Sequence, residues 1–437
     1  MKSILLSTMS AGLARVLAIV LNVIGLPMAL ANLGQSRFAL LLIVLSIGSW
    51  IGFANVGMGR VVANIIARDR KGASKFMVRS ISTATVLAAG FNLALFCITS
   101  AIFLLVVSHV PLNPVIENNY GEFVASVISL FLAMSLWFFL SVFEGIDAGN
   151  HKLHRLYLFQ LASYTVSLVL LFTVFRTHPS ITLAAYLLNL SFLLGSILHA
   201  IDVIRRHRNL FAADFEWDSR VLRLLLLSSV DFTIISLGIG ILFQLATGLF
   251  GFIAGPQAVF DLGIFMRLMQ SYGALVIAFT YPLSNIIASH LASRHDAAAL
   301  HTARLSGALL LGAAGIAAAG FLAFANEILS FWLRTPIRLD SLFLSCAALL
   351  IILSALHFYV ASLLIGTSDT KAVARIHLGE AVAFTPFAFA LFFTLGEAGV
   401  LLALDLTLAA GLFLMAQRVL AHRALGAFFF QTRIKAV

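Results

Sequence analysis

The sequence predicts an all-α polytopic membrane protein: about twelve transmembrane helices in two pseudo-symmetric six-helix bundles around a central cleft. Three observations lead there. Only 11% of the 437 residues are charged while 61% are hydrophobic, whereas soluble domains carry about a quarter charged residues. Apolar runs long enough to cross ~30 Å of hydrocarbon recur along the whole chain. The second half of the sequence also partly repeats the first.

The first span is read over 9–32. "MKSILLS" resembles the start of a signal peptide, but the apolar run continues past any small-residue cleavage site, so this segment is expected to remain as an uncleaved span. Spans follow at 37–57, 82–108, 123–147, 156–176 and 181–203, completing an N-lobe over 1–204. A linker occupies 205–221, of which 205–220 read "RRHRNLFAADFEWDSR"; Phe211, Phe215 and Trp217 beside basic residues suggest an interfacial helix. Spans at 222–249, 259–286, 303–325, 341–366, 377–395 and 398–418 build a C-lobe over 222–437. No stretch is polar enough for a soluble domain. Cys97 and Cys346 both lie in apolar runs, so no disulfide framework is expected.

The net charge is +10, and its placement matters more than its sum. Of the 28 lysines and arginines, 22 fall on one set of alternating connections and only four, Arg37, Arg176, Arg334 and Arg338, on the other. The positive-inside rule then places both termini and the linker in the cytoplasm. The basic charge faces anionic lipid headgroups, and nucleic acid is not needed to explain it.

The internal match has an offset of about 221 residues. "VANIIARDRKGASKF" after span 2 meets "LSNIIASHLASRHDA" after span 8; Phe38 matches Phe260, Gly145 matches Gly366, and "GNHKLHR" matches "TSDTKAVAR". Duplicated lobes are common in secondary transporters, whose substrate sites lie between the repeats.

The stretch "GLARVLAIVLNVIGLPMALANLGQSRFALLLIVLSIGSWIGFANVGMG" resembles the opening of Wzx-like polysaccharide and O-antigen flippases of the multidrug/oligosaccharidyl-lipid/polysaccharide (MOP) exporter superfamily. The shared features are an arginine early in span 1, an "LG…FAL" junction into span 2 and an "N-x-G-x-G" turn closing it. Tyr281 and Pro282 near the end of span 8, followed by "SRHDAAALH", echo the same family. The resemblance implies a bacterial inner-membrane flippase for polyprenyl-diphosphate-linked oligosaccharide, with polysaccharide polymerase machinery as a partner. Asn55 stands where such proteins often carry Asp, which leaves an acidic role there in doubt.

Ionised groups inside spans are functional candidates because burying them is costly. Ala11, Arg15, Ala18, Asn22 and Gly25 share one helical face, small and polar against a Leu, Ile and Val background. Arg15 either faces a cavity or snorkels to the headgroups. In span 8, Gly263, Arg267, Gln270, Ala274 and Tyr281 form a similar stripe; Arg267 either meets substrate or pairs with Asp261 or Asp231. Guanidinium forks suit a diphosphate head, in keeping with what the resemblance implies. Span 7 carries Ser229, Thr233, Ser236, Gly240 and Gln244, either a sugar-binding stripe or a small-residue packing face. Asp231, among those hydroxyls, is the candidate for coupling to H+ or Na+. Glu144, Asp147, Glu380 and Asp405 lie near span ends or can pair locally.

The expected substrate-binding set is therefore Arg15, Asn22, Arg267, Gln270 and Ser236. "GMGR" at 57–60 lacks the Lys-Ser/Thr of a P-loop, so transport is expected to draw on an ion gradient or the membrane potential. Histidines lie mostly in loops without ligand spacing and His357 stands alone in span 10, so neither a metal nor another cofactor is expected. No triad or paired-carboxylate arrangement points to an enzyme. The alternative is a cation-coupled multidrug or metabolite antiporter of the same superfamily, which needs an acidic cavity to attract cationic drugs. Orientation is testable directly: cysteines placed in 109–122 should label from outside the cell, and cysteines in 66–75 only after permeabilisation. The reverse pattern would invert the topology.

Overall fold

A computed structural model describes residues 2–53, 58–68, 75–109, 112, 114–150, 152–211, 219–253, 256–367, 369–422 and 425. Among them the secondary structure is helical, as expected where lipid offers the backbone no hydrogen bonds. The elements are α1 (Lys2–Phe53), α2 (Met58–Arg68), α3 (Lys75–His109), α4 (Pro114–Asn118), α5 (Tyr120–Gly149), α6 (His154–Leu170), α7 (Ile181–Asn189), α8 (Leu193–Arg206) and α9 (Arg208–Phe211). They continue with α10 (Ser219–Ile253), α11 (Pro256–Ala292), α12 (Asp296–Leu333), α13 (Ser341–Gly366) and α14 (Thr370–Ala421). A π-turn, Leu171–Phe175, extends α6.

Helices α1 and α14 are each 52 residues long. At 1.5 Å per residue that is roughly 78 Å, enough for two crossings and far too long for one. Each is broken once. Gly34 adopts φ 74° and ψ 164°, and Gly396 adopts φ 61° and ψ −144°. Positive φ is nearly free of steric cost only for glycine, so these two residues set the boundaries between spans 1 and 2 and between spans 11 and 12. With α3, α5, α6, the α7–α8 pair, α10, α11, α12 and α13, the helices account for all twelve spans.

Span 6 departs from the continuous helix expected over 181–203: α7 and α8 meet at a 55° bend. The carbonyl of Ser191, released at the bend, accepts the hydroxyl of Ser163 on α6. A polar backbone group freed in the membrane is thereby satisfied. Of the linker, 212–218 lie outside the described residues, including Phe215 and Trp217. Phe211, on α9, packs against Phe143 with ring centroids 5.8 Å apart.

The chain divides into two compact units, 1–236 with 247–260, and 237–246 with 261–437. In the first, α5 is the central strut, packing on α1, α2, α3, α7 and α8. Its approach to α2 is backbone on backbone: a Cβ on Gly145 would collide with Gly59, and one on Gly149 would lie 2.7 Å from the Ala63 carbonyl oxygen. In the second unit α13 packs on α12 and α14, and a Cβ on Gly366 would lie 2.9 Å from the Ser284 carbonyl oxygen.

These contacts refine the internal repeat. Ala63 and Ile66 against Gly149 are reproduced by Ser284 and Ile287 against Gly366. The structural counterpart of Gly366 is therefore Gly149, the last residue of its helix, and not Gly145 as the sequence match had it. Phe38 and Phe260, which the offset matches, touch each other edge to face at 5.8 Å. Gln35 Nε2 donates to Gln257 Oε1 at 2.7 Å three residues earlier in both segments.

The α2–α5 approach predicts a stability contrast. Gly145→Ala should destabilise the protein in detergent by about 1–3 kcal/mol through overpacking. Gly90→Ala, on α3 with nothing within 4 Å, should be neutral or stabilise by about 0.5–1 kcal/mol. Thermal unfolding checks both, and equal shifts would refute the packing argument.

Candidate functional site

In the first unit the polar groups form three levels along α5. At one end Arg37 Nη2 donates to Glu122 Oε2 at 2.6 Å, while the other oxygen of Glu122 accepts the Ile181 amide at 2.7 Å and so caps α7. At the other end Asp147, fully buried, accepts from His199 Nε2 at 3.0 Å and from Arg206 Nη1 and Nη2 at 3.1 and 2.8 Å. Arg206 also donates from Nε to Asp202 at 2.9 Å, and Arg155 approaches the same carboxylate at 3.5 Å. Burial together with the neighbouring Arg206 charge holds the His207 imidazole, just beyond α8, below its ordinary pKa. Glu122 and Asp147 are roughly 38 Å apart along the helix axis, so the two charge clusters lie beyond either side of a ~30 Å hydrocarbon layer.

Between them lies Glu144. Its Oε1 accepts from Ser196 Oγ at 3.1 Å and from Trp137 Nε1 at 3.3 Å. Tyr164 lies within electrostatic reach of both Glu144 and Arg15. Arg15 itself is exposed on α1. Asn22 is half-buried, with its Nδ2 spent on the Ala18 carbonyl at 3.0 Å. Ser236 is half-buried and falls in this unit, whereas Arg267 and Gln270 fall in the other.

In the second unit Arg267 is 8% exposed. Its Nη1 donates to Gln270 Oε1 at 2.8 Å, and Gln270 Nε2 donates on to Gln244 Oε1 at 2.6 Å. Nη2 is buried without a partner among the described residues. Of the two ion pairs weighed as the alternative for Arg267, the one with Asp261 is not formed: among the described residues Arg267 has no carboxylate partner. The side chain of Asp231 lies outside the described part, as does Asn55. The structure thus joins Arg267, Gln270 and Gln244 into one polar chain, the third of which had been read only as part of the span 7 stripe.

Two further features of this unit escaped the sequence reading. His357 is not alone: its Nε2 donates to Glu380 Oε1 at 2.7 Å, and His377 Nδ1 donates to Glu380 Oε2 at 2.9 Å. The signal was present in "HLGE", 377–380, since residues three apart share a helix face. What the sequence lacked was the neighbouring helix. From the sequence Asp405 is read as lying near a span end or pairing locally. It is instead 1% exposed, with neither carboxylate oxygen hydrogen-bonded among the described residues.

No family model matches this chain, and no curated protein matches it. Solved structures do. One is an inward-facing multidrug resistance MATE family transporter of the MOP superfamily, with a TM-score of 0.73 and 16% identity, over 95% of this chain and 96% of that one. A MOP superfamily transporter from Pyrococcus furiosus, described as having a binding pocket of reverse polarity that suggests a different function, aligns with a TM-score of 0.63 and 14% identity over 98% and 96% of the two chains. The eukaryotic MATE transporter AtDTX14 aligns with a TM-score of 0.67 and 13% identity over 98% and 97%. The chain therefore has the fold of MATE transporters, twelve membrane helices in two bundles.

The Arg267 chain can be tested for a structural share. Gln270→Leu removes the acceptor of a buried guanidinium and should lower stability by about 1–3 kcal/mol. Adding Arg267→Met should recover part of that loss, because no buried charge is left uncompensated. A double variant less stable than Gln270→Leu in thermal melts would show that Arg267 is held by more than this hydrogen bond.

Proposed function

We propose that this chain is a secondary exporter that works by alternating access as a cation-coupled antiporter for an amphipathic drug or metabolite carrying an acidic group. The observation that carries this reading is the polar chain Arg267–Gln270–Gln244 inside the second unit. Burying a guanidinium at membrane depth costs several kcal/mol, and among the described residues no carboxylate offsets it. A residue retained at that cost needs a partner that arrives from outside the protein. Its spare donors suit a carboxylate, sulfate or phosphate, and their fork geometry favours oxyanions over other acceptors.

The fold supports the antiporter class, since two neighbours are described as multidrug resistance or MATE transporters. The description of reverse pocket polarity for the Pyrococcus furiosus neighbour is a precedent for varied pocket charge on this fold. Coupling to H+ or Na+ falls to an acid within a membrane span. Asp231 is the candidate from the sequence, and Asp405, unpartnered in α14, is the candidate from the structure. Basic residues at the span ends would engage anionic lipids on the cytoplasmic face of a bacterial inner membrane.

A second reading, flipping of polyprenyl-diphosphate-linked oligosaccharide, draws on the same guanidinium. Arg267, with Gln270 beside it, would meet the diphosphate head. Polymerase machinery would be the partner in that case.

Vesicles containing the purified protein separate the two readings. An imposed proton or sodium gradient should drive movement of a fluorescent anionic amphiphile. Arg267→Ala should slow it by about tenfold or more, the size of one lost charge-assisted contact, and Arg267→Lys should restore it in part. Gradient-driven movement of a cationic dye that Arg267→Ala leaves untouched would overturn the substrate class. Movement of lipid-linked oligosaccharide with neither probe transported would establish the second reading.

A further inference from the structure

We propose that His357, His377 and Glu380 form a binding site for a divalent transition-metal ion of the zinc class, built wholly within the second unit. The three side chains each offer one ligand atom, and those atoms lie within 4.8 Å of one another. All three residues are at most 5% exposed. His357 comes from α13, while His377 and Glu380 sit one turn apart on α14. The imidazole rings lean together with centroids 4.9 Å apart.

The donor set selects the metal. Two imidazoles and a carboxylate suit zinc, cobalt, nickel or copper; calcium and magnesium prefer all-oxygen shells. Three protein ligands leave a fourth position open, the pattern of an exchangeable site and not of a closed structural one. Charge favours a cation as well. Among the described residues no lysine or arginine pairs with Glu380, whose partners are the two histidines.

The second nitrogens, Nδ1 of His357 and Nε2 of His377, are buried without hydrogen-bond partners among the described residues. No donor therefore opposes the tautomers in which the protons sit on these nitrogens and the lone pairs turn toward Glu380. The cost is two buried N–H groups, set against two metal–nitrogen bonds and the neutralised carboxylate.

Two glycines leave room for the cluster. A Cβ on Gly411, in the second half of α14, would collide with the Glu380 carboxylate. A Cβ on Gly238, in α10, would lie 2.8 Å from both Cβ and the carbonyl oxygen of His377. Both helices come closer to the cluster than any side chain would allow. An ion bound there ties α13 to the first half of α14, ahead of Pro386 and the break at Gly396, and restrains any sliding between them.

The test uses the full-length protein in detergent, stripped of metal, and titrates it with Co2+ alone. A single equivalent should bind with the intense visible bands of a four-coordinate site, and Zn2+ should displace it. His357→Ala and His377→Ala should each weaken binding on the order of 100-fold, by analogy with lost metal-site partners. Glu380→Gln keeps the side-chain size and can still hydrogen-bond both rings, so it separates loss of metal from loss of fold; it too should abolish the bands. Gly411→Ala, which removes no ligand, should weaken binding about tenfold. The exposed His109 and His301 serve as controls, and their alanine variants should bind as the parent does. Absence of the bands in the parent protein, or their persistence in the folded Glu380→Gln variant, would overturn the site.

Discussion

Every backbone polar group inside hydrocarbon must find its partner within the protein, and this requirement shapes the molecule more than any side chain does. It explains the uniformly helical architecture. It also explains where helices can stop. The long helices α1 and α14 turn at glycines that adopt positive φ, and the α7–α8 bend occurs where Ser163 can take up the freed Ser191 carbonyl. Serines and threonines elsewhere bond back to the preceding turn, as Thr85 does to Ile81 and Thr407 to Ala403. Such hydroxyls are tolerated at depth because the helix itself satisfies them.

Once the helices are formed, apolar burial discriminates poorly among packings, since lipid is as apolar as leucine. Close approach of backbones takes over that role. Gly59 with Gly145, Gly149 with Ala63 and Gly366 with Ser284 let helices meet at distances no side chain permits. The recurrence of one such contact in each unit is a stronger sign of duplication than any residue identity. It preserves a geometry, where the aligned letters preserve only a composition.

Charged groups divide according to what compensates them. Glu122 and Asp147 sit at opposite ends of α5, each with an arginine, and anchor the first unit near the two interfaces. Such pairs stabilise by virtue of their partners, and the loss of one partner is worse than the absence of both. Arg267 and Asp405 are different: buried in the second unit, neither has an oppositely charged partner among the described residues. The unevenness between compensated and uncompensated charge separates scaffold from candidate function in this protein.

The sequence by itself determined the class, the number and order of spans, and the break between α1's two halves, because hydropathy and length are local properties. It also picked out Arg267 and Gln270, because a charge inside an apolar run is visible without any structure. It could not show that Arg267 reaches Gln270 and, through it, Gln244 on another helix. Nor could it place His357 against Glu380, 23 residues away, or match Gly366 to Gly149 in preference to Gly145. Those facts depend on which helix faces which, and apolar sequence carries little information about facing. Only the tertiary structure decided them, through the rotation of each helix about its own axis, set by where glycine allowed the backbones to close.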